Sequence, residues 1–200
     1  MSRNRPRQNG MRAAIAAAAA RIMAEDGIDD YAMAKRKAAR RLGAAETESL
    51  PANEEIASAL RAYQLLYQAD EHPDRLKALR RHALELMHDL AAFNPYLTGA
   101  ILDGTAGRHA EIELQLFPES GKHVDIYLLE RGAKFTAREQ RRYAGDRVHV
   151  SIVLSFDWQG CPVNLEVFDP RDERVALKTS LAGRVIERAG LAEVRALLDG

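Results

Sequence analysis

The chain has 200 residues, 46% of them hydrophobic and 29% charged, which is enough for a buried core and for one domain with a helical extension. Lys+Arg and Asp+Glu both number 29, so global charge gives no argument for a polyanionic partner. The single cysteine, Cys161, excludes an intramolecular disulfide framework and a cysteine-rich zinc site, and fits a reducing compartment, so the cytoplasm is the expected location.

The first half reads as helices. Residues Arg12 to Ala24 are alanine-rich and end before Gly27. The basic start and the alanine run mimic a signal peptide, but Arg21 interrupts the run and acidic residues follow at once, so a helix is expected. Asp29 to Leu42 has an acidic start and ends on Arg40 and Arg41 before Gly43, an order that suits the helix dipole. "AAETESLPAN" is a polar connector. Asn53 can cap a third helix carrying Ile56, Leu60, Tyr63 and Tyr67 at helical spacing. Pro73 can open a fourth, with Leu76, Leu79, Ala83, Met87 and Leu90 on one face, and Pro95 ends it. No apolar run reaches the roughly 20 residues that a membrane span needs.

From Tyr96 the character changes. "YLTGAIL", "EIELQLF", "HVDIYLL", "HVSIVLSF" and "PVNLEVF" are short, β-branched or aromatic, and partly alternating, so each is predicted as a strand. "PESGK" and "DWQGC" read as turns between antiparallel neighbours. "GLAEVRALL" reads as a C-terminal helix. Helices followed by strands predict an α+β protein, with residues 1–93 a helical region and 94–200 an α+β region of one unit.

The chemistry-bearing stretch is "GAILDGTAGRHAEIELQLF" from Gly99. A strand with Gly99-Ala100, a glycine-bearing loop and then Glu111-Ile112-Glu113 resembles the signature of the nucleotidyltransferase superfamily, the DNA polymerase beta-like fold. The resemblance runs from Tyr96 onward and is most specific over Gly99–Leu114. It implies a mixed, mainly antiparallel sheet of that type. It also implies Mg²⁺ or Mn²⁺ held by Glu111 and Glu113, with a third acid on a later strand. Asp125 in "HVDIYLL" is the favoured third ligand and catalytic residue, with Glu166 in "VNLEVF" the alternative. Gly99, Gly104, Thr105 and Arg108 would lie near the phosphates of a nucleoside triphosphate. The implied activity is transfer of a nucleotidyl group to an unknown acceptor, such as an RNA or a protein. The physical logic is that an anionic triphosphate needs cations, and alternate carboxylates on one strand face hold them.

Two features depart from the pattern. Both acids of the pair are Glu where Asp is usual, which moves each carboxylate by about 1.5 Å. Ala100 stands where a serine hydroxyl or a second glycine is common. A fold that has lost catalysis and binds RNA or a protein is therefore the alternative. The basic run Lys35–Arg41 supplies a cationic helix face for it. No nearby histidine or asparagine suggests a catalytic dyad with Cys161, which reads as a small strand residue.

Overall fold

The computed structural model describes residues 5–28, 30–44, 50–67, 72–107, 109–181 and 183–199. Asp29 and most of the connector that follows Ala44 lie outside them. The chain divides into two units. The first runs to Arg75 and takes in Gly104–Ala110; the second is Leu76–Asp103 with the chain from Glu111 on.

The first unit is built on α1 (Arg5–Asp26), α2 (Tyr31–Arg41) and α3 (Asn53–Tyr67). Ala16, Ala19, Ala20, Ala34, Ala38 and Ala39 form its core with Ile15, Ile22, Ile56 and Leu60. Small side chains let the helix backbones approach closely, and the few branched residues fill what remains. Asp30 caps α2 by accepting from the backbone N–H of Ala32 at 2.7 Å and of Met33 at 3.2 Å. At α3 the N-terminal bond comes from Glu55, not from Asn53: its Oε2 accepts from Ala52 N–H at 2.7 Å. The predicted stripe of α3 is shifted by one position. Gln64 is buried beside Ile56 and Leu60, whereas Tyr67 is exposed, because positions 56, 60 and 64 fall on one line of the helix. Gln64 Nε2 donates to Thr105 O at 3.1 Å and so ties the 104–110 loop to this unit.

Ion pairs at the helix ends make this unit acid-sensitive. Arg12 holds the Glu55 carboxyl below its usual range, the Tyr63 hydroxyl and then Arg21 do so for Glu25, and Lys37 does so for Asp26. A depressed folded-state pKa contributes stability that is present above the ordinary carboxylate range and is lost as pH falls through the folded value. All three groups face solvent, so the effect is small. Glu55→Gln is expected to flatten the loss of stability below pH 5 in urea titrations; an unchanged pH slope would contradict this.

The second unit holds α4 (His72–Asp89, its first turn counted with the first unit), β1 (Tyr96–Thr98), α5 (Gly99–Asp103), β2 (Ile112–Leu116), α6 (Gly121–Glu130), β3 (Thr136–Ala144), β4 (Arg147–Trp158), β5 (Cys161–Val167) and α7 (Leu191–Asp199). The strands form one mixed sheet in the order β1-β2-β5-β4-β3. Only β2 and β5 run parallel; the other three pairings are antiparallel. The protein is α+β.

Three segments differ from the expectation. "YLTGAIL" is a strand only to Thr98, because Gly99 turns the chain at φ 71° and α5 begins. "HVDIYLL" is not a strand but helix α6, so Asp125 is a helical residue and "PESGK" is a strand-to-helix link. Val124 and Leu128 are buried one turn apart, the period of a helix, and the apolar–acid–apolar triplet conceals it. β3 was not expected at all. Of the nine residues of TAREQRRYA five are exposed and four half-buried, none of them fully buried, and as an edge strand it needs no alternation. The "DWQGC" turn is as expected: Trp158 pairs with Cys161 across Gln159 (φ 53°) and Gly160 (φ 81°).

Alternation gives the sheet an apolar face and a polar face. Leu97, Ile112, Leu114, Leu116, Val163, Leu165 and Leu154 are buried on the first. Tyr96, Thr98, Glu113, Gln115, Asn164, Glu166, Ser155 and Arg142 point to the second. Elements α4 and α6 lie on the apolar side, with His82 against Cys161 and Gly121 against Val167. The C-terminal segment covers part of the polar side. Tyr96 O–H donates to Glu173 at 2.8 Å, His149 Nδ1 lies 2.8 Å from Asp172, and Lys178 bridges Tyr143. No helix among the described residues is long and apolar enough to cross a membrane.

Candidate functional site

The polar face has a closed zone and an open zone. In the closed zone Glu166 is fully engaged. Arg142 donates to its two oxygens at 2.6 and 2.8 Å, Ser151 O–H at 2.7 Å and Gln115 Nε2 at 3.4 Å. The pair is nearly out of solvent, with side-chain exposures of 18% for Arg142 and 9% for Glu166. Four donors leave this carboxylate no free lone pair facing a cation, so it acts here as the anchor of a buried network.

The open zone lies at the start of β2. Glu111 and Glu113 are both exposed and point to the same side, two residues apart. The parallel register sets Asn164 of β5 beside Glu113, and Asn164 Nδ2 donates to Glu111 Oε2. Ser155 of β4 is next in line, its Oγ donating to Asn164 Oδ1 at 2.5 Å. From the other side Thr98 pairs with Glu113, and Gly99 follows. A Cβ on Gly99 would come within 2.9 Å of the Glu113 carboxylate. Gly99 thus serves twice, by its left-handed φ and by the space it leaves that carboxylate. Gly99→Ala is expected to cost about 1–2 kcal/mol from the left-handed backbone alone, read by urea unfolding, and to push the Glu113 side chain aside. A neutral substitution would show that the turn relaxes freely.

Asp125 does not join this pair. It lines a cavity of about 300 Å³ with Glu119, Gly121, Ile152, Leu154 and Asp169, and Ile152 and Leu154 belong to the apolar side of the sheet. Gly104 (φ 82°) and Thr105 belong to the loop counted with the first unit, and Thr105 is buried. Arg108 lies outside the described residues. Among the described residues no group of three or more His, Cys, Asp or Glu side chains is arranged to hold a metal ion.

The divalent cation implied by the resemblance can still be tested against the donors present. Glu111 and Glu113 are hard oxygen ligands on one strand face, and the Glu113 carboxylate lies in the space that Gly99 leaves by having no side chain. Mg²⁺ characteristically takes one or two carboxylates and fills its other positions with water and phosphate oxygens. The residues fit such an ion.

Sequence reasoning passed over Asn164, Ser155, Arg142 and Ser151, whose roles depend on strand order. It also passed over His82, whose Nδ1 lies 3.2 Å from Cys161 Sγ, with Trp158 edge-on to the imidazole at 6.4 Å. No local signal joins residues 79 positions apart. This pair is not an activated nucleophile. Burial, and then Asp157, push the Cys161 thiol up, so less thiolate is present at neutral pH than in an ordinary cysteine. Iodoacetamide is expected to alkylate Cys161 several-fold more slowly than free cysteine at pH 7.5, and at the same rate after unfolding in urea. A native rate equal to the free thiol's would contradict the assignment.

Compared with family models, with curated proteins and with solved structures, the chain matches none.

Proposed function

We propose that the chain is a nucleotidyltransferase-like protein that binds a divalent cation and a nucleoside triphosphate through the open end of its polar sheet face. One observation carries this reading. Strand β1 ends at Thr98, a short helix begins at Gly99, and β2 returns beside β1 with the Glu113 carboxylate against that glycine and Glu111 exposed just ahead of the strand. Glu111 and Glu113 would hold Mg²⁺ or Mn²⁺. When bound, the cation supplies charge neutralisation to the triphosphate and its leaving oxygen. Gly99 leaves the Glu113 carboxylate its space, and Asn164 and Thr98 flank the pair on the neighbouring strands.

The test is calorimetric titration with Mn²⁺ or Mg²⁺ and each of ATP, CTP, GTP and UTP. Binding is expected for the wild type and is expected to fall at least tenfold in Glu111→Gln and Glu113→Gln. No binding, or binding indifferent to both substitutions, would sink the reading.

A second reading, a non-catalytic binding module, is favoured by α2. Met33, Arg36, Lys37, Arg40 and Arg41 line a depression of about 400 Å³ on one side of that helix. Lys37 and Arg41 reach Asp26 at 2.6 and 3.9 Å, while Arg36 and Arg40 face solvent. On this reading an RNA backbone lies along the helix, and binding weakens steeply with salt. Loss of RNA binding in Arg36→Ala/Arg40→Ala, with Glu111→Gln unaffected, would favour it over the first.

A further inference from the structure

We propose that Asn164 sets the cation affinity of the Glu111–Glu113 pair by turning its amide oxygen toward the ion, and this rests on the metal-site reading above. Strand order brings it there. β5 is the parallel neighbour of β2, and its register sets Asn164 opposite Glu113 on the same face as Glu111. An amide has two unlike ends, and here both are spoken for. The Nδ2 end donates to Glu111, and the Oδ1 end accepts from Ser155 Oγ at 2.5 Å. In this orientation a neutral donor takes up part of the negative charge on Glu111, and no oxygen of Asn164 is turned to the acid pair.

A cation between the two glutamates reverses the preference. Positive charge repels the amide hydrogens and attracts Oδ1. A half-turn of the side-chain amide puts Oδ1 on the acid side and Nδ2 toward Ser155. Ser155 can follow, because a hydroxyl is both donor and acceptor and its hydrogen rotates to suit. Both orientations therefore leave every polar end of the amide satisfied, and Ser155 is what makes them interchangeable. The neutral amide contributes an oxygen but no charge. Ion affinity in oxygen-ligand sites follows the count of charged ligands, so the wild-type site is a weak one that a carboxylate at the same position would strengthen.

The experiment is titration with Mn²⁺ alone, without nucleotide, followed by electron paramagnetic resonance of the free ion. The proteins are wild type, Asn164→Asp, Asn164→Ala, Glu111→Gln and the Glu111→Gln/Asn164→Asp double variant. Asp has the shape of Asn, so the strand pairing is kept. Asn164→Asp is expected to bind Mn²⁺ at least tenfold more tightly than wild type, and Glu111→Gln is expected to remove that gain. Asn164→Ala is expected to bind several-fold more weakly than wild type, because it has no oxygen to turn inward. Thermal melting adds a second readout. Three acids without a cation repel, so metal-free Asn164→Asp is expected to melt below wild type, and Mn²⁺ is expected to raise its Tm more.

Outcomes that overturn the proposal are distinct from those that overturn the reading beneath it. If wild type binds Mn²⁺ through Glu111 but Asn164→Asp binds no more tightly, Asn164 does not face the ion. If Asn164→Ala binds more tightly than wild type, the amide only competes for Glu111 and its oxygen never turns. In both cases the metal site stands and the proposal falls. If neither wild type nor Asn164→Asp binds Mn²⁺, the metal site itself is wrong and the proposal falls with it.

Discussion

Glu166→Ala is expected to cost about 3–5 kcal/mol of folding stability, the range seen when one partner of a buried ion pair is removed. The reason is what stays behind. Arg142 would keep a full charge at 18% side-chain exposure without its bidentate acceptor. Ser151 O–H and Gln115 Nε2 would lose theirs as well. Gln115 has nothing to spare, since its Oε1 is buried without a hydrogen-bond partner. Replacing both partners is a different matter. Glu166→Leu with Arg142→Met removes the charge and its counter-charge together, and is expected to recover most of the loss. Equilibrium urea unfolding of the single and double variants separates the two effects. A loss below about 1 kcal/mol for Glu166→Ala would show that water reaches Arg142 and solvates it. The same pair decides a functional question. Glu166→Gln is expected to destabilise the fold while leaving Mn²⁺ affinity within twofold of wild type. A tenfold drop in affinity would return Glu166 to the set of ligands.

The alanine-rich helices were legible because their signals are local. Asp30 and Gly43 lie at the ends of α2, and alanines at helical spacing form the core of the first unit. The carboxylate pair and its glycine were legible too, since Gly99 and Glu113 meet across a single β1–β2 register. Two things failed: a helix whose polarity alternates locally, and whatever depends on which distant strand lies alongside. Asp125 was placed on a strand because Val124, Asp125 and Ile126 alternate in polarity; only the burial of Leu128 one turn on marks the helix. β3 carries Arg138, Glu139, Gln140, Arg141 and Arg142 in succession and shows no strand period, yet it supplies the cation that neutralises Glu166. Asn164 is one polar residue of an alternating strand in the sequence, and only the parallel β2–β5 register sets it beside the acid pair. A parallel neighbour is separated in sequence by a whole crossover, here α6, β3 and β4, and no short-range pattern announces its register.

Phe117→Ala is expected to cost about 3–5 kcal/mol, the usual range for a large aromatic lost from a core, and to act first on the segment that roofs the closed zone. Phe117 is almost fully buried and stacks on Phe168 with centroids 5.4 Å apart and planes 17° apart. Its edge meets Tyr96 at 5.8 Å, and the Arg188 guanidinium lies 5.3 Å from its ring centre. Leu177, Val175 and Ile186 complete the cluster. The stretch from Asp169 to Gly190 holds one short 3-10 helix and a few isolated bridges, so this cluster is its main apolar anchor. Polar ties add to it, among them Arg188 donating to Val175 O at 2.8 Å, but each is worth less than the ring contacts. Loss of the ring should therefore free the segment before the sheet itself opens. Hydrogen exchange reads this directly. The amides of Lys178, Ile186 and Ala189 bond to Tyr143 O, Leu177 O and Leu97 O, and their protection is expected to fall more than that of the β2–β5 amides. Equal loss across the sheet would mean that Phe117 holds the whole unit and not the roof. Selective loss would mean that the closed zone of Glu166 and the open zone of Glu111 and Glu113 differ mainly in cover, since the same strands carry both and only one end lies beneath this segment.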